Sequence, residues 1–398
     1  MDIVLPKERL SDILNLPVRV VTSRIERGVY HIDNDGLVKL KSVKDSPIIR
    51  EILQYSPPPP LPSHNLTVGE SFAGAGGFSL GFEAAGYKTK FLVEFDKHAS
   101  NTLRLNRPNW NVIEKNINDV DFSSYLHHVD VIAGGFPCQP FSTSGKELGF
   151  RDTRGTLFHE FARSILETQP KAFVAENVTG LLTHDKGRTL DTICRALSEI
   201  GYTLLKPKAL KAMLHRVPQK RERLFIIGFR QDLASNINYI WPSPNAFPIL
   251  TVKDALKKGV LYNCDVPASV SARYPDKKHN VLQHVPEGGN WRNLPPELQI
   301  SYMGGALNTP GGKTSFGRRL EWNAPSNTLT CSPSQKQTER CHPSETRPLT
   351  TREYARIQTF PDNWMFSGST TNIYKQIGNA VPVNLASAIA SSLAVAIA

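Results

Sequence analysis

The chain has 398 residues, 40% of them hydrophobic and 21% charged, with a formal net charge of +11. That length and balance exclude a disordered or fibrous polymer and fit two domains, or one large domain with insertions. The five cysteines, odd in number and without paired spacing, exclude a disulfide scaffold and fit a reducing compartment, while the excess of Lys and Arg favours a polyanionic partner.

Residues 1–62 read as an N-terminal extension of mixed polarity that ends in Pro57-Pro58-Pro59-Pro60-Leu61-Pro62, an extended and semi-rigid spacer. The first residues lack the basic start and unbroken apolar run of a signal peptide. From 63 to 230 short apolar runs alternate with amphipathic stretches. Strands are expected at 66–72, 89–93, 129–133, 171–175 and 224–229, with helices at 80–85, 98–106, 157–168 and 190–200. This alternation predicts an α/β class, a doubly wound sheet with ligands at the C-terminal ends of its strands. Between 231 and 345 periodicity fades, Pro and Gly become frequent, and Trp241, Trp291, Tyr302 and Trp322 are scattered through loops. That stretch is expected to be a second, smaller and irregular domain. Residues 346–398 return to a regular pattern, with Thr350 as N-cap and Glu353 completing a capping box. The final apolar segment, 385–398, is too short and too rich in small residues to span a bilayer, so the chain is expected in the cytoplasm.

Five stretches carry chemistry. The first expected strand runs into Ala73-Gly74-Ala75-Gly76-Gly77-Phe78-Ser79, where glycines allow close backbone approach to a nucleotide, although a simple tight turn explains such a loop about as well. Ser79 stands where the dinucleotide fingerprint requires Gly. Glu94, at the end of the next strand, strengthens the nucleotide reading, because a carboxylate there can accept from both ribose hydroxyls. The third stretch, Gly135-Phe136-Pro137-Cys138-Gln139-Pro140-Phe141-Ser142, presents a cysteine in a polar loop as an attacking thiolate requires; the competing reading is an inert buried thiol. Glu176 ends another apolar strand, where a lone carboxylate is more often a solvated loop acid. Last, the basic run 216–223 opens directly into the apolar 224–228, so alternate residues point inward. Cys331, Cys341 and His342 lack a paired ligand spacing, and no metal site is expected.

The octapeptide around Cys138 resembles the nucleophile loop of the C5-cytosine DNA methyltransferases, and that family's other landmarks follow in its order from Phe72 almost to the C-terminus. The first sixty-odd residues are not covered, and the match between Phe229 and about Asn323 is weak. The resemblance implies a Rossmann-like S-adenosylmethionine-dependent domain with a target-recognition domain, releasing S-adenosylhomocysteine. It implies Cys138 as nucleophile, Glu176 as the acid at cytosine N3, Arg223 at O2, and Arg221 bracing the loop and a phosphate. The cofactor would be lined by Phe72, Gly74 and Gly76 at its methionine end, Glu94 at the ribose and Phe95 at the adenine face, with Pro137, Leu157 and Asn379 completing the pocket. Asn116-Ile117 stands where the family usually has Asp before Ile; the asparagine carbonyl can accept the same bond, and Asp119 is the other candidate.

The target cytosine would be flipped out of double-stranded DNA, with Gln139, Ser142, Ser144 and Asn177 near the substrate. Thr328, in a Thr-Leu element of the second domain, and Arg347 would touch DNA, as would Lys336, Gln337 and Arg340. A monomer is expected, paired functionally with a restriction endonuclease. Three other readings stay open at this stage: an RNA cytosine methyltransferase, a DNA-binding module on an inactive fold, and a nicotinamide dehydrogenase, the last disfavoured by Ser79.

Overall fold

The structure, a computed structural model, describes residues 3–137, 150–153, 155–308 and 315–398. Two compact units divide the chain, Met1–Pro60 with Trp241–Ile249, and Leu61–Ile240 with Leu250–Ala398.

The larger unit is built on one mixed sheet. Its strands in chain order are β1 (Thr67–Ser71), β2 (Lys88–Val93), β3 (Val112–Ile113), β4 (Val131–Gly134), β5 (Ala172–Val178), β6 (Tyr202–Leu204), β7 (Lys208–Lys211) and β8 (Glu222–Arg230). They lie in the order β3-β2-β1-β4-β5-β8-β6, with β7 also paired to β8. Strands β1 to β5 are parallel wherever they pair, and β8 runs antiparallel to β5, β6 and β7. The chain works outward from β1 to β3, then crosses back to β4. The crevice beyond the C-terminal ends of β1 and β4 is therefore the place where such a sheet binds ligands.

The helices α1 (Gly77–Ala84), α2 (Lys97–Asn106), α3 (Leu157–Thr168) and α4 (Arg188–Glu199) follow the first strands, and α5 (Thr351–Ile357), α6 (Thr370–Asn379) and α7 (Val383–Ile397) close the unit. Local chemistry fixes their starts. The Asp96 carboxylate accepts from His98 N and Ala99 N to cap α2, and the Thr156 hydroxyl accepts from His159 N to cap α3. Thr350 and Glu353 form the reciprocal capping box expected at α5. Helix α1 begins three residues before the expected 80–85, because left-handed Gly76 is its N-cap and Gly77 its first helical residue. Parallel strands covered on both faces read as unbroken apolar runs, and all four residues of β4 are buried.

Residues 370–397 are apolar and long enough, by composition alone, to cross a membrane, with half of the most apolar window buried. Helices α6 and α7 are separate, however, interrupted at residues 380–382, and α7 places Ala386 where a Cβ on Gly81 of α1 would come within 2.4 Å of it. That close approach identifies α7 as a core helix of this unit.

Beyond residue 250 the same unit turns irregular. Short helices Asp276–Leu282 and Pro296–Met303 contribute to a satellite core of Tyr274, Leu282, Trp291, Tyr302 and Met303, while Val252–Leu256 packs into the core shared with α5. The fold is thus a Rossmann-like α/β sheet with a smaller irregular lobe.

Candidate active site

A cavity of about 790 Å³ opens at the sheet's switch point. It is lined by β1 and its following loop, by Glu94–Ala99, Gly135–Pro137 and Glu176–Val178, by Arg221 and Arg223, and by the α6–α7 junction.

At one end the chain leaves β1 in an unusual conformation: Phe72, Gly74 and Gly76 all have positive φ, at 63°, 53° and 87°. For Phe72 this is strain of order 1–3 kcal/mol, kept because the surroundings fix it. Glu94 supplies part of that fixing. Its Oε2 accepts from Gly74 N at 2.7 Å and its Oε1 accepts from Asp96 N at 2.7 Å, tying the glycine loop to the start of α2. Burial raises the Glu94 pKa against these bonds. Each oxygen keeps a second lone pair, so the carboxylate can still accept from a diol. Phe95 stands next to it, 73% exposed, an aromatic face without a cover. Lys375 pairs with Asp96 at 3.1 Å, both of them lining the cavity.

Of the other cofactor positions expected from sequence, Pro137 and Asn379 line the same cavity. Asn379 Oδ1 accepts from the Cys331 thiol at 3.0 Å. Gly76, Asn116, Ile117 and Leu157 are not among the lining residues: Gly76 instead caps α1, where a Cβ would meet Leu103 and Trp364. The Asn116 side chain accepts from Asn118 N at 3.1 Å, Ile117 is buried in the core beside β4, and Leu157 packs against that core.

At the other end lies a charge cluster. Strand β5 extends through Val178, past the expected 171–175, because β8 pairs with it as far as Arg223 opposite Val178. Glu176 stands opposite Phe225, so Arg223 lies diagonally across on the same face. Their side chains meet, Arg223 Nε to Glu176 Oε1 at 2.7 Å, and a second Arg223 nitrogen donates to Glu222 O at 2.8 Å. Burial raises the Glu176 pKa, opposed by the charges of Arg223 and Arg221. Arg221 is buried and donates from Nη1 to Leu329 O at 3.1 Å, while its Nε has no partner among the described residues. Burial and the neighbouring Arg223 lower its pKa, though a guanidinium still keeps its charge at neutral pH. Asn177 turns away from the cluster and donates from Nδ2 to Phe136 O at 3.0 Å, pinning the segment that leads to Cys138. Cys138, Gln139, Ser142 and Ser144 lie outside the described residues, and the last described position before them, Pro137, is on the cavity wall.

The Thr328-Leu329 element is fastened to this cluster. Strand Ser326–Asn327 pairs in parallel with Gln219–Lys220, just before β8. Thr328 donates to Lys220 O at 2.9 Å, and buried Gln219 accepts from Leu329 N at 2.9 Å. Tyr354 donates to Thr330 O at 3.0 Å. A Cβ on Gly378 would come within 2.2 Å of that carbonyl, so only glycine fits there. Arg340, expected to reach DNA, is instead buried, with its guanidinium donating to the carbonyls of Thr328 and Glu339. Arg347 is bidentate to Glu353 at 2.8 and 2.9 Å and also bonds Glu345, so its charge is answered within the protein.

Sequence reasoning missed Glu70. It sits inside β1, lines the cavity, accepts from the Ser79 hydroxyl and is raised by burial to about 8. A carboxylate in an otherwise apolar strand was the available signal. It also missed that Arg221 and Gln219 hold the Thr328-Leu329 element, since a contact across a hundred residues leaves no local pattern.

The arrangement joins the glycine-loop end of the cavity, where Glu94 can accept from a diol, to a buried carboxyl–guanidinium pair. Comparison with known proteins agrees. A type II methyltransferase of Escherichia coli, M.Eco47II, is 60% identical over 327 residues, covering 82% of this chain and 78% of its own. M.PspPI of Psychrobacter sp. (strain TA137), also a type II methyltransferase, is 57% identical, covering 83% and 80%. The crystal structure of an E. coli prophage-encoded protein described as a DNA modification methyltransferase superposes with a TM-score of 0.58 at 27% identity, covering 83% of this chain and 98% of that one. The S. pombe Dnmt2 methyltransferase, at 16% identity and a TM-score of 0.56 over 82% of this chain and 98% of its own, shares the fold. Residues 66–394 match the family of C-5 cytosine-specific DNA methylases, and the chain belongs to that family.

Proposed function

We propose that the chain methylates C5 of a cytosine flipped out of duplex DNA, using S-adenosylmethionine and releasing S-adenosylhomocysteine, by way of a covalent bond between the Cys138 sulfur and C6. The observation that carries this reading is the Glu176–Arg223 pair at 2.7 Å, backed by Arg221, in one cavity with Glu94 and Gly74. C5 of cytosine is a poor nucleophile. Addition of a thiolate at C6 makes C5 electron-rich, provided an acid reaches N3 and a cation stands near O2. Burial favours the protonated form of Glu176, as an acid for N3 needs. Arg223 orients that carboxyl and offers its remaining donors to O2. Asn177, through Phe136 O, holds the strand end from which the Cys138 loop departs. Loss of the C5 proton and elimination of Cys138 then restore the ring.

The cavity fits the donor: Phe72 and Gly74 would take its methionine end, Glu94 its ribose and Phe95 its adenine. When bound it supplies an electrophilic methyl group. Asn116, Ile117 and Leu157 would have to approach the adenine from outside the present cavity wall.

The lobe spanning 231–345 is proposed as the target-recognition domain, with Thr328 on an element anchored to the base pocket; residues 63–230 and 346–398 form the catalytic domain. Gln139, Ser142 and Ser144 are proposed to contact the substrate strand, and Asn177, with both side-chain atoms engaged by Phe136 O and Val178 N, to brace the nucleophile segment. Arg347 is proposed as a brace for α5 rather than a DNA contact, given its two carboxylates. Kinship with type II methyltransferases supports a cytoplasmic, monomeric modification enzyme that protects DNA from a restriction endonuclease. Bisulfite sequencing of host DNA after expression tests this: one short site converted to 5-methylcytosine supports it, and unmodified DNA with a folded, donor-binding protein refutes it.

A further inference from the structure

Two fully buried glutamines lie between the base pocket and the donor end of the cavity: Gln219, on the short strand before β8, and Gln358, the residue that ends α5. Leu329 N donates to Gln219 Oε1 at 2.9 Å, and Gln219 Nε2 donates to Gln358 Oε1 at 2.8 Å. Gln358 Nε2 then donates to Ile377 O at 2.8 Å and Ala380 O at 3.0 Å. A backbone N–H can only donate and a backbone carbonyl can only accept, so both amides are held in one orientation and neither can flip. Every bond in the chain runs the same way, from the Thr328–Thr330 element to the α6–α7 junction. Bonds in such a chain polarise one another, so a break at one point weakens the rest.

Each end of the chain meets a part of the site. Leu329 is also the residue whose carbonyl accepts from Arg221, so Gln219 holds its N–H and the base-pocket guanidinium its C=O. Ala380, at the far end, is on the cavity wall with Gly378, Asn379 and Val381. The backbone of Gln358 is fixed too. Its carbonyl accepts from Val383 N at 3.1 Å, where α7 starts, and from the Thr359 hydroxyl at 2.7 Å. Thr359 has φ 61°, a strained conformation for a β-branched residue, and its hydroxyl oxygen accepts in turn from Asn384 N at 3.0 Å. Such strain persists only where the surroundings over-determine it, and here they lock Gln358 against the start of α7. Two apolar side chains of equal volume would fill the same space. The amides add direction: a shift of the cavity wall at Ala380 moves the Gln358 amide and, through Gln219, the Leu329 N–H.

We propose that Gln219 and Gln358 are positioning residues that couple occupancy of the donor cavity to the hold on target DNA, so that a bound donor sets the Leu329 segment for the duplex. This rests on the catalytic reading and deepens it, by naming the residues through which its two ligands communicate.

The test uses the full-length protein, S-adenosylhomocysteine and a labelled duplex carrying the methylated site, at one fixed salt concentration. Anisotropy titration of the duplex with and without saturating S-adenosylhomocysteine gives a coupling factor, and calorimetry of S-adenosylhomocysteine with and without duplex must return the same factor by linkage. The wild type should show tightening of about fivefold or more, and Gln219→Met and Gln358→Met, which cut the chain at its two members, should each bring it below about twofold. Tyr354→Phe frees Thr330 from the Tyr354 hydroxyl but leaves the glutamine chain whole, so it should keep the wild-type factor. One measurement needs no variant: in the wild type without DNA, S-adenosylhomocysteine should slow hydrogen exchange at the Leu329 amide. An uncoupled wild type, full coupling in a folded glutamine variant, loss of coupling in Tyr354→Phe, or unchanged exchange at Leu329 overturns the proposal. Failure of the catalytic reading would show differently, as a wild type that binds no S-adenosylhomocysteine or methylates no duplex.

Discussion

Replacing Glu70 by Gln should make the protein more stable, and increasingly so as pH rises. Glu70 lies within β1, 2% exposed, and accepts from the Ser79 hydroxyl. Burial, helped by the charge of Glu94, raises its pKa from 4.5 to about 8. Between those values the folded protein holds a proton that the unfolded chain has released. Stability contributed at low pH is therefore lost as pH rises, by about 1.4 kcal/mol per pH unit. From about pH 5 to pH 8 the loss sums to roughly 3 kcal/mol, a large share of an ordinary folding free energy. Glutamine keeps the shape and still accepts from Ser79, but has no proton to lose. Urea unfolding of wild type and Glu70→Gln across that range, without DNA or donor, should give curves that diverge in this direction by roughly that amount. Parallel curves would refute the argument, since they would mean that the carboxyl meets water or a cation in the folded state.

Further outcomes follow from the same geometry. Glu176→Gln should lower kcat by roughly 10²–10⁴ while donor binding by calorimetry is unchanged, because the amide keeps a hydrogen bond to Arg223 but cannot protonate N3. Gly378→Ala should destabilise the protein by about 1–3 kcal/mol and raise KM for DNA more than KM for the donor, as the new methyl group would displace the Thr330 carbonyl 2.2 Å away. Glu94→Gln should weaken donor binding, read by calorimetry, because it replaces one of the two acceptors that now hold Gly74 and Asp96 at 2.7 Å. Equal donor affinity in that variant would place the ribose elsewhere.

Most of the sheet was legible because parallel strands buried on both faces write their position as apolar runs. Val131–Gly134 and the first four residues of Ala172–Val178 are examples. Strands β6 and β7 were not, since Tyr202–Leu204 is only three residues long and Lys208–Lys211 is short and basic, and both pair with the antiparallel edge that β8 offers. The capping box at Thr350 was readable for the opposite reason: it is entirely local, within four residues. In the site, the sequence could place Glu94, Glu176 and Arg223 at strand ends, where side chains converge by topology. It could not show that Gln219, Arg221, Arg340 and Tyr354 all bond to the short Thr328–Thr330 element, because those partners are brought together only by tertiary folding. Nor could polarity alone separate a DNA-facing Arg347 from one answered by Glu353, six residues away. The N-terminal extension showed only mixed polarity in the sequence, because its helices Lys7–Leu14 and Val18–Glu26 and its two-residue strand pair are too short to write a clear period.

Mass spectrometry of the protein incubated with donor and a target duplex carrying 5-fluorocytosine asks most directly whether sulfur attacks the ring. Fluorine at C5 blocks the final elimination, so a permanent protein–DNA adduct at Cys138 should accumulate, and Cys138→Ala should give neither adduct nor methylated DNA. An adduct at another residue, or methylation by Cys138→Ala, would contradict the account.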